Sequence, residues 1–141
     1  SFGNEKQKYI TIILDDRHPK IFGLDRLDNS ATVYVVEGPI DSLFLENCIA
    51  VAQSDLRVPQ YKDKAVLVPD NEPRNVEVCR QIKKFIDDGY SVCIWPQDIK
   101  EKDINDMILS GMTSAEIMSI IHSNTHKGLQ AQTVFNSWKR N

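Results

Sequence analysis

Four β-favouring residues, Val33-Tyr34-Val35-Val36, run without a polar interruption into Glu37-Gly38-Pro39. Such a run suits a strand covered on both faces, as strands of a parallel sheet are. Parallel strands need crossover connections, so the feature points to alternating strands and helices. It also puts Glu37 where the strand leaves the sheet, the edge at which open α/β sheets take their ligands. Gly38 is read as the residue that lets the backbone turn sharply. Pro39 suits a first helical turn, and Asp41 near a helix N-terminus is favoured by the dipole.

The rest of the chain repeats the pattern. Leu43, Phe44 and Leu45 continue a short helix toward Asn47, and Cys48-Ile49-Ala50-Val51-Ala52 reads as a second buried strand. Strand, helix and strand make a right-handed βαβ unit. The segment 53–64 reads as a loop with one helical turn. Ala65-Val66-Leu67-Val68 is a third strand and runs into Pro69-Asp70-Asn71-Glu72-Pro73. Pro73 and Arg74 open a helix over about 75–88, with Val76, Cys79, Ile82, Phe85 and Ile86 on its apolar face and Gly89 as its stop. Ser91-Val92-Cys93-Ile94-Trp95 is the fourth strand. Asp103 and Asp106 sit at the start of a short helix, and Thr113-Ser114-Ala115-Glu116 is a capping box for another with Ile117, Ile120 and Ile121 on one face. Ahead of all this, 9–14 reads as a strand, 15–20 as a loop, and Ile21-Phe22-Gly23-Leu24 as a short apolar piece. The tail from Asn124 has weak periodicity and is expected to pack through Val134, Phe135 and Trp138. The expectation is one domain: a lead-in with an extra strand over 1–31, a core over 32–110, and a C-terminal helix and tail over 111–141.

Composition narrows the partners. A chain of 141 residues with 41% hydrophobic and 26% charged residues is ordinary for a globular domain. The net charge of −3 gives no bulk attraction to nucleic acid, so any such contact needs a local basic patch or a metal ion. No apolar run is long enough to span a bilayer and no secretory pattern opens the chain, so no membrane association and a cytoplasmic location are expected. Three cysteines without metal-ligand spacing read as buried thiols in a reducing compartment. The opening Ser1 leaves a piece of a longer chain or a cleaved tag as alternatives.

Acids follow several strand ends: Glu37 the first, Asp70 and Glu72 the third, Asp103 and Asp106 beyond the fourth. Carboxylates that converge repel one another unless a cation compensates. All-oxygen donors suit Mg²⁺ or Mn²⁺, and Mg²⁺ commonly joins one or two carboxylates to substrate phosphates. The chemistry expected is metal-assisted phosphoryl or nucleotidyl transfer. Each acid also has a plain structural alternative. Glu37 could solvate a loop, Asp70 and Glu72 could form a turn, and Asp103 could be a helix N-cap. Arg74, Arg80, Lys83, Lys84 and Lys102 are candidates for nucleotide or template phosphates, or simply a solvated face.

The wording Val36-Glu37-Gly38-Pro39-Ile40-Asp41 and Val68-Pro69-Asp70-Asn71-Glu72 resembles the Toprim signature, a strand ending in Glu-Gly with an Asp soon after, then a strand ending in Asp-x-Asp. That family spans DNA primases, type IA and II topoisomerases, and some nucleases and recombination proteins. The likeness covers about 32–108 and departs at Glu72, where the family has Asp. Lys20-Ile21-Phe22-Gly23-Leu24 and Lys102-Asp103-Ile104-Asn105-Asp106 look like segments that flank this motif in DNA primases, and the wording from Val35 to Leu43, the run Pro69-Asp70-Asn71-Glu72-Pro73-Arg74-Asn75 and the tail from Lys127 to Lys139 look most like primase subunits of T-even-type bacteriophages. The resemblance implies a Rossmann-like α/β fold with a central, mainly parallel four-stranded sheet flanked by helices. It implies Glu37, Asp70 and Glu72 as catalytic residues and, with Asp103, as ligands for Mg²⁺ or Mn²⁺. Arg74, Lys83 and Lys102 would bind nucleotide. It further implies a nucleotidyltransferase that makes RNA primers in DNA replication, with single-stranded DNA template, ribonucleoside triphosphates and a replicative helicase as partners. The zinc-binding domain and part of the polymerase core of such a primase are missing here, so the fragment alone is expected to be inactive. A Toprim nuclease or topoisomerase piece, or a non-catalytic binding module, remain the alternatives.

Overall fold

A computed structural model describes residues 21–140. The strand expected over 9–14 and the loop over 15–20 lie outside the described residues. Within them the chain forms six strands and five α-helices: β1 Ile21–Phe22, β2 Val33–Val36, α1 Pro39–Ser42, β3 Cys48–Val51, β4 Ala65–Leu67, α2 Val76–Asp87, β5 Ser91–Cys93, α3 Ile104–Leu109, α4 Ser114–Ser123, β6 Thr125–His126 and α5 Gly128–Trp138. Two 3₁₀ turns, Leu24–Arg26 and Pro59–Lys64, complete the list, the second being the single turn expected in the loop before β4.

The sheet order is β1-β3-β2-β4-β5-β6. Its four inner strands are parallel, as expected from their apolar runs. The edges differ from the four-stranded expectation. β1 pairs antiparallel with β3, and β6 pairs antiparallel with β5. Each edge strand has two residues, too few for a period-2 pattern to show in sequence. Short edge strands also blunt the open ladder against pairing with other chains.

Alternation along β2 builds two cores. Val33 and Val35 face one layer with Ile82, Phe85 and Ile86 of α2 and Ala131, Phe135 and Trp138 of α5. Tyr34 and Val36 face the other, with Ile104 and Met107 of α3 and Ile117 and Ile121 of α4. Helices on both faces explain why β2 carries no polar residue: each side chain leaves water, at about 1.5–3 kcal/mol for a fully buried Val or Leu.

Three local expectations change. Asn75 caps α2, accepting from the amides of Glu77 and Val78 at 3.0 and 3.2 Å, so Pro73 and Arg74 lie in a turn before the helix. The inner face therefore uses Val78, while Val76 is 71% exposed. The short helix after Glu37 is one turn, Pro39–Ser42, and Asn47 ends the apolar stretch beyond it in a left-handed conformation (φ 46°). The weakly periodic tail is mostly helix: Ala131, Phe135 and Trp138 repeat at i, i+4 and i+7, and the small Ala131 hid that stripe. The Thr113–Glu116 capping box forms as read.

Candidate functional site

β2 and β4 are neighbours although β3 separates them in sequence. Val35 pairs with Leu67, and the Val68 amide donates to the Val35 carbonyl at 2.8 Å. From this pair the sheet extends to β3 on one side and to β5 on the other. Successive crossovers leave in opposite directions, which opens a crevice at the carboxyl ends of β2 and β4. Glu37 follows β2 directly, and Pro69-Asp70-Asn71-Glu72 follows β4. Pro69 has no N–H to continue the ladder, and its carbonyl accepts the Trp95 indole N–H at 2.9 Å, which anchors the loop from below.

The carboxylates act on one another. Asp70 is pushed up to about 7, first by burial and then by the charges of Glu37, Asp41, Asp103 and Glu72. Glu37 is raised by burial and by Glu72, with the Lys102 ammonium pulling it back. Asp41 is pushed up to about 6 by burial, with Asp103 and Asp106 adding repulsion. The Asn105 amide hydrogen bond and Lys102 oppose that rise. Glu37, Asp41, Asp70, Glu72 and Asp103 thus share one field at one sheet edge. Lys102 reaches the same field, acting on both Glu37 and Asp41.

Local structure positions each member. Asn75, the α2 cap, also donates to Glu72 Oε2 at 3.3 Å. Asp103 is the N-cap of α3, accepting from the Asp106 amide at 2.9 Å, as its structural alternative had it, while still facing Asp41 and Asp70 electrostatically. Asp41 is only 6% exposed and accepts the Asn105 amide at 2.8 Å, tying α1 to the start of α3. That burial is the part the sequence reading misses: it takes Asp41 as an acid favoured by the helix dipole and gives it no place among the clustered acids. Its position one helical turn after Glu37 was the available signal. Gly38 needs a different explanation from the one its sequence suggested. Its φ of −89° and ψ of 130° suit any residue, but a Cβ there would lie 3.0 Å from Asp41 Oδ2. Close approach to the Asp41 carboxylate, not a sharp turn, is what favours glycine here.

The basic candidates divide. Lys102 stands at the acids. Arg74 is exposed and donates to the Lys139 carbonyl at 3.4 Å, beside the carboxylate loop. Lys83 pairs with Asp87 at 2.8 Å and Arg80 with Glu77 at 2.7 Å on the solvent face of α2. None of Lys83, Arg80 and Lys84 is among the charges that shift Glu37, Asp41 or Asp70. Among the described residues no three His, Cys, Asp or Glu side chains already stand together to hold a metal ion. The three cysteines are free thiols, with Cys48 and Cys93 buried and pushed well above the usual thiol range. His122 is exposed on α4, and His126 lies in β6.

Cavity size does not mark this edge. A cleft of about 600 Å³ opens away from it, at the amino ends of β2 and β3 between Tyr34, Phe44, Asn47, Met118 and His122. A smaller one of about 150 Å³ adjoins the carboxylate loop between Asn71, Pro73, Pro96 and Trp138. The convergence of charge, rather than volume, singles out the carboxyl edge. No helix among the described residues is long and apolar enough to cross a membrane.

No family model matches the chain. In sequence it is similar to the DNA primase of Enterobacteria phage T4, with 45% identity over 130 residues, which cover 89% of this chain and 38% of that primase. The chain is therefore primase-related, and it spans 38% of the length of the relative it matches.

Proposed function

We propose that this chain is the Toprim-type catalytic part of a DNA primase, a divalent-cation-dependent nucleotidyltransferase that makes RNA primers on single-stranded DNA. The observation that carries the reading is the upward push on Asp70 and Glu37 at one sheet edge, first by burial and then by carboxylates from neighbouring strand ends. Repulsion of that kind is relieved when a cation sits among the acids.

The donor chemistry fits Mg²⁺ or Mn²⁺, since every candidate ligand is a carboxylate oxygen. Glu37, Asp70 and Glu72 would hold the ion, with Asp103 at its margin, and the side chains would have to close on it by rotation. Bound there, such an ion supplies charge neutralisation and polarisation for phosphoryl transfer. Asp70, at about 7, is partly protonated at neutral pH, so it yields a proton as it becomes a ligand. Asp41 holds α1 against α3 and fixes the direction in which Glu37 leaves β2. Lys102 and Arg74 stand at the rim, where they would meet triphosphate or template phosphates. Template, ribonucleoside triphosphates and a replicative helicase are the partners of such an enzyme. The remaining length of a primase would hold the template, so this segment alone makes no primers.

Calorimetric titration of the 141-residue chain with Mn²⁺ should show binding that Glu37→Gln removes while circular dichroism stays unchanged. The same substitution in a full-length primase carrying this segment should abolish Mg²⁺-dependent primer synthesis. Normal primer yield from that variant would sink the assignment.

A further inference from the structure

Asn71, between the two acids of the β4 loop, has its side-chain amide and its backbone N–H engaged. Its side-chain Nδ2 donates to the carbonyls of Ile99 and Glu101 at 2.9 and 3.1 Å. Its Oδ1 accepts the Trp138 indole N–H at 3.0 Å. Its backbone amide donates to the Lys102 carbonyl at 2.6 Å. The orientation of the amide is unambiguous, because an indole N–H only donates and a carbonyl only accepts. One residue therefore joins three segments: the carboxylate loop, the 99–102 stretch that delivers Lys102 and Asp103, and the C-terminal helix α5.

α5 is well placed to set that position. Trp138 is 4% exposed and stacks on Phe135 with ring centroids 6.0 Å apart, deep in the α2-side core. The indole N–H is thus held by packed rings, whereas the loops it governs have no helix or strand of their own between β5 and α3. A second tie comes from Arg74, which donates to the carbonyl of Lys139 at the end of α5.

We propose that Asn71 and Trp138 are positioning residues, and that α5 is thereby a working part of the carboxylate site rather than a cover for the core. The inference rests on the cation-binding reading for its functional consequence, but its geometric part does not. Partners that orient ligand-bearing groups typically contribute about 10–100-fold to metal affinity.

The test compares two substitutions on the same helix. Trp138→Phe keeps an aromatic ring and removes the N–H; Phe135→Leu loosens the same core and leaves the hydrogen bond in place. In the metal-free 141-residue chain, Trp138→Phe should speed hydrogen exchange of the residue-71 amide by about tenfold. In Mn²⁺ titrations it should weaken binding by about tenfold. Phe135→Leu should lower the melting temperature and change neither. Should Trp138→Phe not fold, Asn71→Ala serves instead, at a half-buried loop position, with the same two expected effects. Unchanged exchange and unchanged Mn²⁺ affinity in the folded variant, or equal effects from Phe135→Leu, would overturn the proposal. If the native chain binds no Mn²⁺, the cation reading fails, and the exchange comparison alone decides the positioning role.

Discussion

Replacing Asp70 by Asn should stabilise the metal-free chain at about pH 8, although it removes a proposed ligand. The folded state resists ionisation of this carboxyl because burial and then Glu37, Asp41, Asp103 and Glu72 all disfavour its charge. Moving an aspartate from 3.8 to about 7 sets a ceiling of about 4 kcal/mol, at about 1.4 kcal/mol per pH unit. Solvent reaches part of the group and screens the repulsion, which brings the expected gain to about 1–2 kcal/mol. The sign follows from proton binding. Between the unfolded value and about 7 the folded state binds more protons than the unfolded chain, so stability falls as pH rises through that window. Asn lacks this loss. Its advantage should be complete above about pH 7, shrink on acidification, and vanish near the ordinary aspartate value. Urea unfolding in EDTA at about pH 8, 6.5 and 5 measures it, followed by fluorescence of the two buried tryptophans, Trp95 and Trp138. Mg²⁺ at about a hundredfold excess over its Kd should then stabilise the native chain by about 2.7 kcal/mol and the Asn variant by much less. A variant that is less stable in EDTA at about pH 8, or whose advantage does not change with pH, would refute the electrostatic account of this edge.

Two further outcomes are expected. Lys83→Ala should leave Mn²⁺ and nucleotide affinity of the chain unchanged and cost under about 0.5 kcal/mol, since Lys83 makes an exposed i,i+4 pair with Asp87; a tenfold loss of nucleotide affinity would restore Lys83 to the site. Gly38→Ala should change overall stability by no more than about 0.5 kcal/mol, because its backbone suits alanine and the entropic gain offsets the new contact. The added methyl should instead displace the Asp41 carboxylate, read as faster exchange of the Asn105 amide, and an unchanged rate there would show that Gly38 does not hold Asp41 in place.

Much of this architecture is local chemistry and could be read before any coordinates. Unbroken apolar runs at 33–36, 48–51 and 65–67 mark strands buried on both faces, and the parallel inner sheet follows from the crossovers between them. The Thr113 box and the acids after β2 and β4 are equally plain, because each depends on residues a few positions apart. What fails locally is whatever depends on length or on a distant partner. Two-residue edge strands have no period, and the α5 stripe is masked by a small Ala131. The preference for glycine at 38 comes from a neighbouring side chain, so backbone preference alone misassigned it. Whether Asp41 is a surface cap or a buried member of the cluster depends on α3, 64 residues further on. Which residues are acidic, and that they follow strand ends, is written in the chain's local order. That β2 and β4 lie side by side emerges only on folding, because strand order is set by how both helical layers cover the sheet. That adjacency turns separate acids into a single site, and it brings Asn71 and Trp138 together across 67 residues of chain.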